Sequence, residues 1–194
     1  MNTVCVFGSS SESIDRAYLD SAEHLGESLA KKKIKLIFGA GKYGIMGAVS
    51  RGVLREGGEM LGVSPQFFSE HDVLADYSEI VFTESMRERK AYMEEHSDAF
   101  IICAGGIGTF EEFFEVLTLK QLGRHEKAII IYNFKGYYTP LLEMMDAAMR
   151  DSFMAADTRK LYTVAETEEE VFRQLEEYKS FSYNKYRSWY GGSV

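Results

Sequence analysis

The chain has 194 residues, of which 45% are hydrophobic and 27% charged, and its formal net charge is -8. That length suits one domain with a sizeable core. The acidity argues against nonspecific nucleic-acid binding and against an anionic membrane surface, so any phosphate must be held by a local site.

The first strand-like run, 4–7, has no charged n-region before it, so no signal peptide is expected. No apolar run approaches the roughly 20 residues of a membrane helix. Further strand-like runs lie at 35–38, 60–63, 79–82, 100–103, 128–132 and 161–164. Helix-length segments lie at 13–32, 44–56, 86–97, 110–122, 139–150 and 168–179. Short apolar strands alternating with helices predict an α/β fold. It is a Rossmann-like, doubly wound parallel sheet with helices on both faces. Residues 1–179 would form one nucleotide-binding hydrolase domain. Residues 180–194 form an aromatic, mildly basic tail, expected to pack on the body or on a partner subunit. Cys5 and Cys103 fall in predicted strands and read as small core residues of a cytoplasmic protein. The four histidines show no metal-ligand spacing, and no metal is expected.

The first strand ends on Gly8-Ser9-Ser10-Ser11. The second ends on Gly39-Ala40-Gly41-Lys42-Tyr43-Gly44, a match to G-x-G-x-x-G. That fingerprint expects an acid about 20 positions on, at the far end of the next strand. Glu59 has the distance but begins its strand, at the wrong edge to reach a ribose. Tight helix–strand packing, with Gly47 continuing the small face, accounts for the pattern instead. In a parallel sheet such turns emerge at the carboxyl edge, where open α/β folds bind ligands. Gly8, Ser9 and Gly41 are therefore candidate substrate contacts.

Ser85-Met86-Arg87-Glu88 reads as a capping box opening the helix 86–97. At about 100° per residue, Met86, Lys90, Met93 and Ser97 share one face, flanked by Arg89 and His96. Arg89 and Lys90 thus lie against the apolar stripe. Either both stems snorkel along the core edge, or the pair is aimed at phosphate or ribose at the sheet edge.

The strand 100–103 leads into Gly105-Gly106-Ile107-Gly108-Thr109, followed by Glu111 and Glu112. Glycines here let backbone N–H groups approach an anion at a helix N-terminus. The helix reads as opening on Thr109, with Glu112 three residues later. Glu112 is then either the second half of a capping box or a catalytic carboxylate. Near a helix N-terminus it would be ionised, which suits a base or a stabiliser of positive charge. Phe110, Phe113, Phe114 and Leu117 form one apolar face, and Val116, Leu119 and Leu122 another. Two apolar faces predict that one meets a second subunit, hence a homodimer.

Two motifs in register, Met86-Arg87-Glu88-Arg89-Lys90-Ala91 and Ala104-Gly105-Gly106-Ile107-Gly108-Thr109-Phe110-Glu111-Glu112, resemble the LONELY GUY family. Its members are cytokinin riboside 5′-monophosphate phosphoribohydrolases, often labelled lysine decarboxylases. Val6–Ser11, Gly39–Gly47 and Gly136-Tyr137-Tyr138 agree, and the resemblance spans about residues 3–178. It implies a Rossmann-like homodimer that hydrolyses the bond between a base and ribose 5-phosphate. Arg89 and Glu112 would take the catalytic positions. Met86, Lys90, Gly105, Gly106, Ile107, Gly108, Thr109, Glu111 and Thr118 would join the nucleotide site. No cofactor is implied. The chain departs from the family pattern at Ala104, where Pro is usual, at Ala40, where Gly is usual, and at Arg87, where His is common.

The expected activity is hydrolysis of AMP, or of N6-modified AMP of cytokinin type, to free base and ribose 5-phosphate. The alternative is a carrier or sensor that binds a nucleotide or phosphorylated cofactor without turning it over. A pyridoxal-phosphate decarboxylase would need an aldimine lysine with a partner for the pyridine nitrogen, and no residue marks one.

Overall fold

A computed structural model describes residues 1–71, 73–75 and 79–183. Its centre is a parallel sheet of seven strands: β1 (Thr3–Phe7), β2 (Lys35–Phe38), β3 (Met60–Pro65), β4 (Glu79–Thr83), β5 (Ala99–Ile102), β6 (Ala128–Tyr132) and β7 (Thr163–Ala165). The spatial order is β4-β3-β2-β1-β5-β6-β7. The helices are α1 (Arg16–Lys31), α2 (Gly44–Arg55), α3 (Met86–Glu95), α4 (Ile107–Gln121), α5 (Thr139–Arg150) and α6 (Glu168–Glu177). Short 3-10 helices occupy Gln66–Glu70, Phe134–Gly136 and Ala156–Lys160.

The strands are apolar on both faces because both faces are covered. Successive side chains of a strand point to opposite sides. Val4 and Val6 join the layer packed by α1, α2 and α6. Cys5 and Phe7 join the layer packed by α3, α4 and α5. This is the doubly wound architecture that the strand and helix spacing predicts.

Strand order reverses at β1. From there the chain moves outward through β2, β3 and β4, then returns to place β5 on the other side of β1. The loops leaving β1 and β5 therefore diverge and open a crevice at the carboxyl edge, the usual ligand position in such sheets. The Ser9 N–H donates to the Ala104 carbonyl at 3.0 Å and ties the two loops together at its floor.

Three elements start two or more residues away from expectation. α1 starts at Arg16, because the Asp15 carboxylate accepts from the Ala17 N–H at 2.9 Å and caps it. β7 starts at Thr163, because Leu161 closes the preceding 3-10 helix. α4 starts at Ile107, with Gly106 at the cap position and no side-chain cap. Thr109 and Glu112 are therefore not a capping box.

The two-face reading of α4 also needs correction. On the second of the two apolar faces, Val116 is 3% exposed within this chain, and Leu119 and Leu122 are half-buried. The uncovered face is instead Ile107, Glu111 and Thr118. At the other end of α4, Lys120 is buried. It donates to the Lys127 carbonyl at 2.8 Å and to Tyr178 Oη at 3.0 Å, with the Phe181 ring 5.2 Å away. The first part of the tail thus packs on the body, where Tyr183 Oη also donates to Asp157 at 2.7 Å. Residues 184–194 lie outside the described residues.

Candidate active site

α3 starts where the Ser85 hydroxyl accepts from the Glu88 N–H at 3.2 Å. Glu88 accepts in turn from the Glu84 N–H at 3.0 Å. This cap sets the phase of the helix and turns Arg89 inward, while Arg87 stays exposed. Arg89 is 6% exposed and Glu112 is 8% exposed. The Arg89 Nη1 donates to Glu112 Oε1 at 2.6 Å, and its Nε donates to the Val63 carbonyl at 3.1 Å. Arg89 is thus not a snorkelling side chain. A Cβ at position 39 would come within 2.1 Å of Arg89 Nη2, so Gly39 leaves the room that the guanidinium fills.

Burial raises the pKa of Glu112 above its ordinary value, while the charge and hydrogen bond of Arg89 pull the other way. The arginine is the only buried cation hydrogen-bonded to this carboxylate among the described residues. Glu112 stands in the second turn of α4, so the helix terminus contributes less to its ionisation than Arg89 does.

Lys90 follows a different course. It pairs with Glu111 and with Glu115, the latter at 2.5 Å. Burial disfavours its charge, but the Glu111 and Glu115 carboxylates that its ammonium pairs with outweigh this and hold its pKa above the ordinary value. Those contacts fasten α3 to α4 on the outer side of the site.

A cavity of about 520 Å³ opens over the Arg89–Glu112 pair, within the size range of small-molecule sites. Its walls come from five places in the chain. The loop after β1 gives Gly8, Ser9, Ser10 and Ser11. The turn after β2 gives Gly39, Gly41 and Tyr43, with Met46 from α2. The segment after β3 gives Phe68, Val73 and Leu74. α3 gives Met86 and Arg89, and the start of α4 gives Gly106, Ile107, Gly108, Thr109 and Glu112.

Of the residues singled out in the sequence, Gly8, Ser9, Gly41, Met86, Arg89, Gly106, Ile107, Gly108, Thr109 and Glu112 line this cavity. Lys90, Gly105, Glu111 and Thr118 do not. Gly105 is glycine for a packing reason, since a Cβ there would sit 2.1 Å from the Thr109 hydroxyl. Positions 106 and 108 have nothing within 4 Å of such a Cβ, so their backbone is open to a ligand. Glu111 and Thr118 lie on the exposed face of α4.

Of the G-x-G-x-x-G glycines, Gly39 and Gly41 line the cavity, and Gly44 packs against the loop after β1. Gly44 has φ +59, and a Cβ there would strike the Ser9 carbonyl at 2.4 Å. Ala40 adopts φ +60 in the same turn, a left-handed conformation that costs an alanine about 1 kcal/mol.

Sequence reasoning did not select Ser10, Ser11, Gly39, Tyr43, Met46, Phe68, Val73 and Leu74 as site residues, although all of them line the cavity. Val73 and Leu74 reach the site because their segment folds back on the β2 turn. The Lys42 N–H donates to the Val73 carbonyl at 2.9 Å, and Leu74 bridges Gly41. No local pattern announces that pairing. Among the described residues no group of three or more His, Cys, Asp or Glu is placed to hold a metal. Cys103 is buried, and burial pushes its thiol up to about 12, which leaves it no use as a nucleophile.

The fold and cavity define a Rossmann-like α/β protein with a ligand-sized site at the strand-order reversal. Residues 46–175 match the family model described as "Possible lysine decarboxylase". The chain is 38% identical over 177 residues to the Arabidopsis thaliana cytokinin riboside 5′-monophosphate phosphoribohydrolase LOG5, covering 91% of this chain and 78% of that protein. It is 39% identical over 176 residues to a probable phosphoribohydrolase of the same kind, LOGL2, from Oryza sativa subsp. japonica, covering 90% and 72%. Among solved structures, a molybdenum cofactor binding protein from Rippkaea orientalis shares the fold with a TM-score of 0.70 at 21% identity, over 90% of this chain and 95% of that one. The Moco carrier protein of Chlamydomonas reinhardtii does so with a TM-score of 0.68 at 19% identity, over 91% and 96%. The chain belongs to the LONELY GUY family.

Proposed function

We propose that the protein hydrolyses the N-glycosidic bond of a nucleoside 5′-monophosphate, AMP or N6-modified AMP of cytokinin type, to free base and ribose 5-phosphate. The observation that carries this reading is the buried Arg89–Glu112 pair at the floor of a glycine-lined cavity. The activities of its relatives support it.

Glycosidic cleavage passes through an oxocarbenium-like state with positive charge on the sugar. The carbon–nitrogen bond to the base breaks, water adds its oxygen to the anomeric carbon, and the base departs with a proton. The Glu112 carboxylate would face the developing charge and orient the water. Arg89 would hold that carboxylate in place and contact the nucleotide. The open amides at Gly106 and Gly108 would take the 5′-phosphate at the start of α4. This chemistry requires neither metal nor redox cofactor.

We also propose that the protein acts as a cytoplasmic homodimer. Its free, buried cysteines fit a reducing compartment. The uncovered α4 face of Ile107, Glu111 and Thr118 would meet the second copy, and Ile107 is 86% exposed beside the cavity.

The test is a product assay across AMP, GMP, CMP and N6-isopentenyl AMP. Release of free base with equimolar ribose 5-phosphate is the expected result. Tight binding of AMP without base release would instead favour a carrier or sensor.

A further inference from the structure

The turn from Cys103 to Gly105 has no proline to fix its backbone, yet its three successive carbonyls are all held by donors from elsewhere. Tyr138 Oη donates to the Cys103 carbonyl at 2.8 Å. The Ser9 N–H donates to the Ala104 carbonyl at 3.0 Å. Tyr137 Oη donates to the Gly105 carbonyl at 2.6 Å.

A trans peptide places its N–H opposite its C=O. Holding the Gly105 carbonyl on Tyr137 therefore turns the Gly106 N–H away from that phenol. Gly106 lines the cavity and Tyr137 does not. Gly106 has no Cβ to limit its own dihedrals, and the Phe110 N–H holds its carbonyl at 3.0 Å but not its N–H, so the Gly105 carbonyl contact is what sets this peptide plane.

The phenols are themselves rigidly placed. Lys135 and Gly136 adopt φ +54 and +72, which reverses the chain after β6 and brings both tyrosines beneath the turn. Asn133 Oδ1 accepts from the Tyr138 N–H at 2.6 Å. The two rings pack edge to face at 5.0 Å, and Tyr18 meets Tyr137 at 6.0 Å from the other side.

We propose that Tyr137 and Tyr138 are positioning residues that aim the Gly106 amide and the start of α4 at the 5′-phosphate. The proposal rests on the nucleotide reading above. Neither tyrosine touches the reacting bond, so the effect should fall on phosphate affinity rather than on chemistry.

The experiment compares wild type with Tyr137→Phe and Tyr138→Phe, which remove only the hydroxyls. It measures thermal melting, kcat and KM for AMP, and affinity for ribose 5-phosphate and for adenosine. Tyr137→Phe is the cleaner variant, because Tyr137 is partly exposed whereas Tyr138 is fully buried. For it, KM for AMP and Kd for ribose 5-phosphate should rise about five- to tenfold, the scale of one lost hydrogen bond. Affinity for adenosine, which lacks the phosphate, should stay unchanged, and kcat should stay within about threefold. Equal weakening toward adenosine and ribose 5-phosphate, a fall in kcat at constant KM, or no change would overturn the positioning role. If wild type itself neither cleaves AMP nor binds ribose 5-phosphate, the nucleotide reading falls and takes the positioning role with it. If wild type does both and Tyr137→Phe matches it, the positioning role alone falls.

Discussion

Arg89 on α3 and Glu112 on α4 meet at 2.6 Å beneath the cavity, both almost fully buried, although 23 residues separate them in the chain. Each explains the other's burial, since a lone charge at either position would be strongly disfavoured. Burial also keeps the pair out of bulk water, where its field on a ligand would be screened.

Glu112→Gln should abolish turnover. It leaves the Arg89 guanidinium buried with a neutral amide, so stability should fall by about 3 kcal/mol, the scale of a broken buried pair. Chromatography of released adenine and a urea melt check the two halves. Wild-type turnover in this variant would make Glu112 purely structural.

Arg89→Ala should lower activity about a hundredfold or more, as removal of a preorganised charge does. Arg87→Ala should stay within about twofold, because Arg87 is exposed and a solvated surface charge contributes little. Steady-state kinetics on AMP decide it, and similar losses at both positions would contradict the orientation of α3.

The pH profile should carry the signature of a buried carboxylate. Activity requires ionised Glu112, so kcat/KM should fall as pH drops through its pKa. Burial raises that pKa, so the acid limb should bend above the ordinary glutamate value of 4.5. An acid limb at or below that value would show that Arg89 outweighs burial.

Gly108→Ala should separate fold from function. A Cβ there meets nothing within 4 Å, and position 108 lies in α4, where alanine is favoured over glycine by about 1 kcal/mol. The melting temperature should therefore rise while KM for AMP also rises, because the methyl group intrudes beside the phosphate position. A higher melting temperature with unchanged KM would remove Gly108 from the site.

Light scattering should give twice the chain mass of 22.0 kDa. A stable dimer would bury about 1,600 Å² in total. Ile107→Glu should dissociate it, since that change puts a charge on the uncovered face of α4. A monomeric, fully active wild type would refute the assembly.

The sequence by itself determined the layering, because apolar runs of strand length and helices of 3.6-residue period are local properties of the chain. It also determined which residue types stand at the carboxyl edge, since each glycine turn directly follows its strand. Arg89 was legible as a candidate from its helical phase beside the apolar stripe, Glu112 from its place after the glycine turn, and both from the family resemblance. Their contact was not. It depends on α4 starting at Ile107 rather than at Thr109, and on the Ser85 cap that sets the phase of α3. Those two phases turn Arg89 and Glu112 toward each other, and send Lys90 to Glu111 and Glu115 instead of to the cavity. Tertiary structure alone also brought Val73 and Leu74 over the β2 turn, and Tyr137 and Tyr138 under the β5 turn. These are hydrogen bonds between segments about 30 residues apart. No periodicity encodes such a bond, because it exists only once the sheet has brought the strand ends side by side.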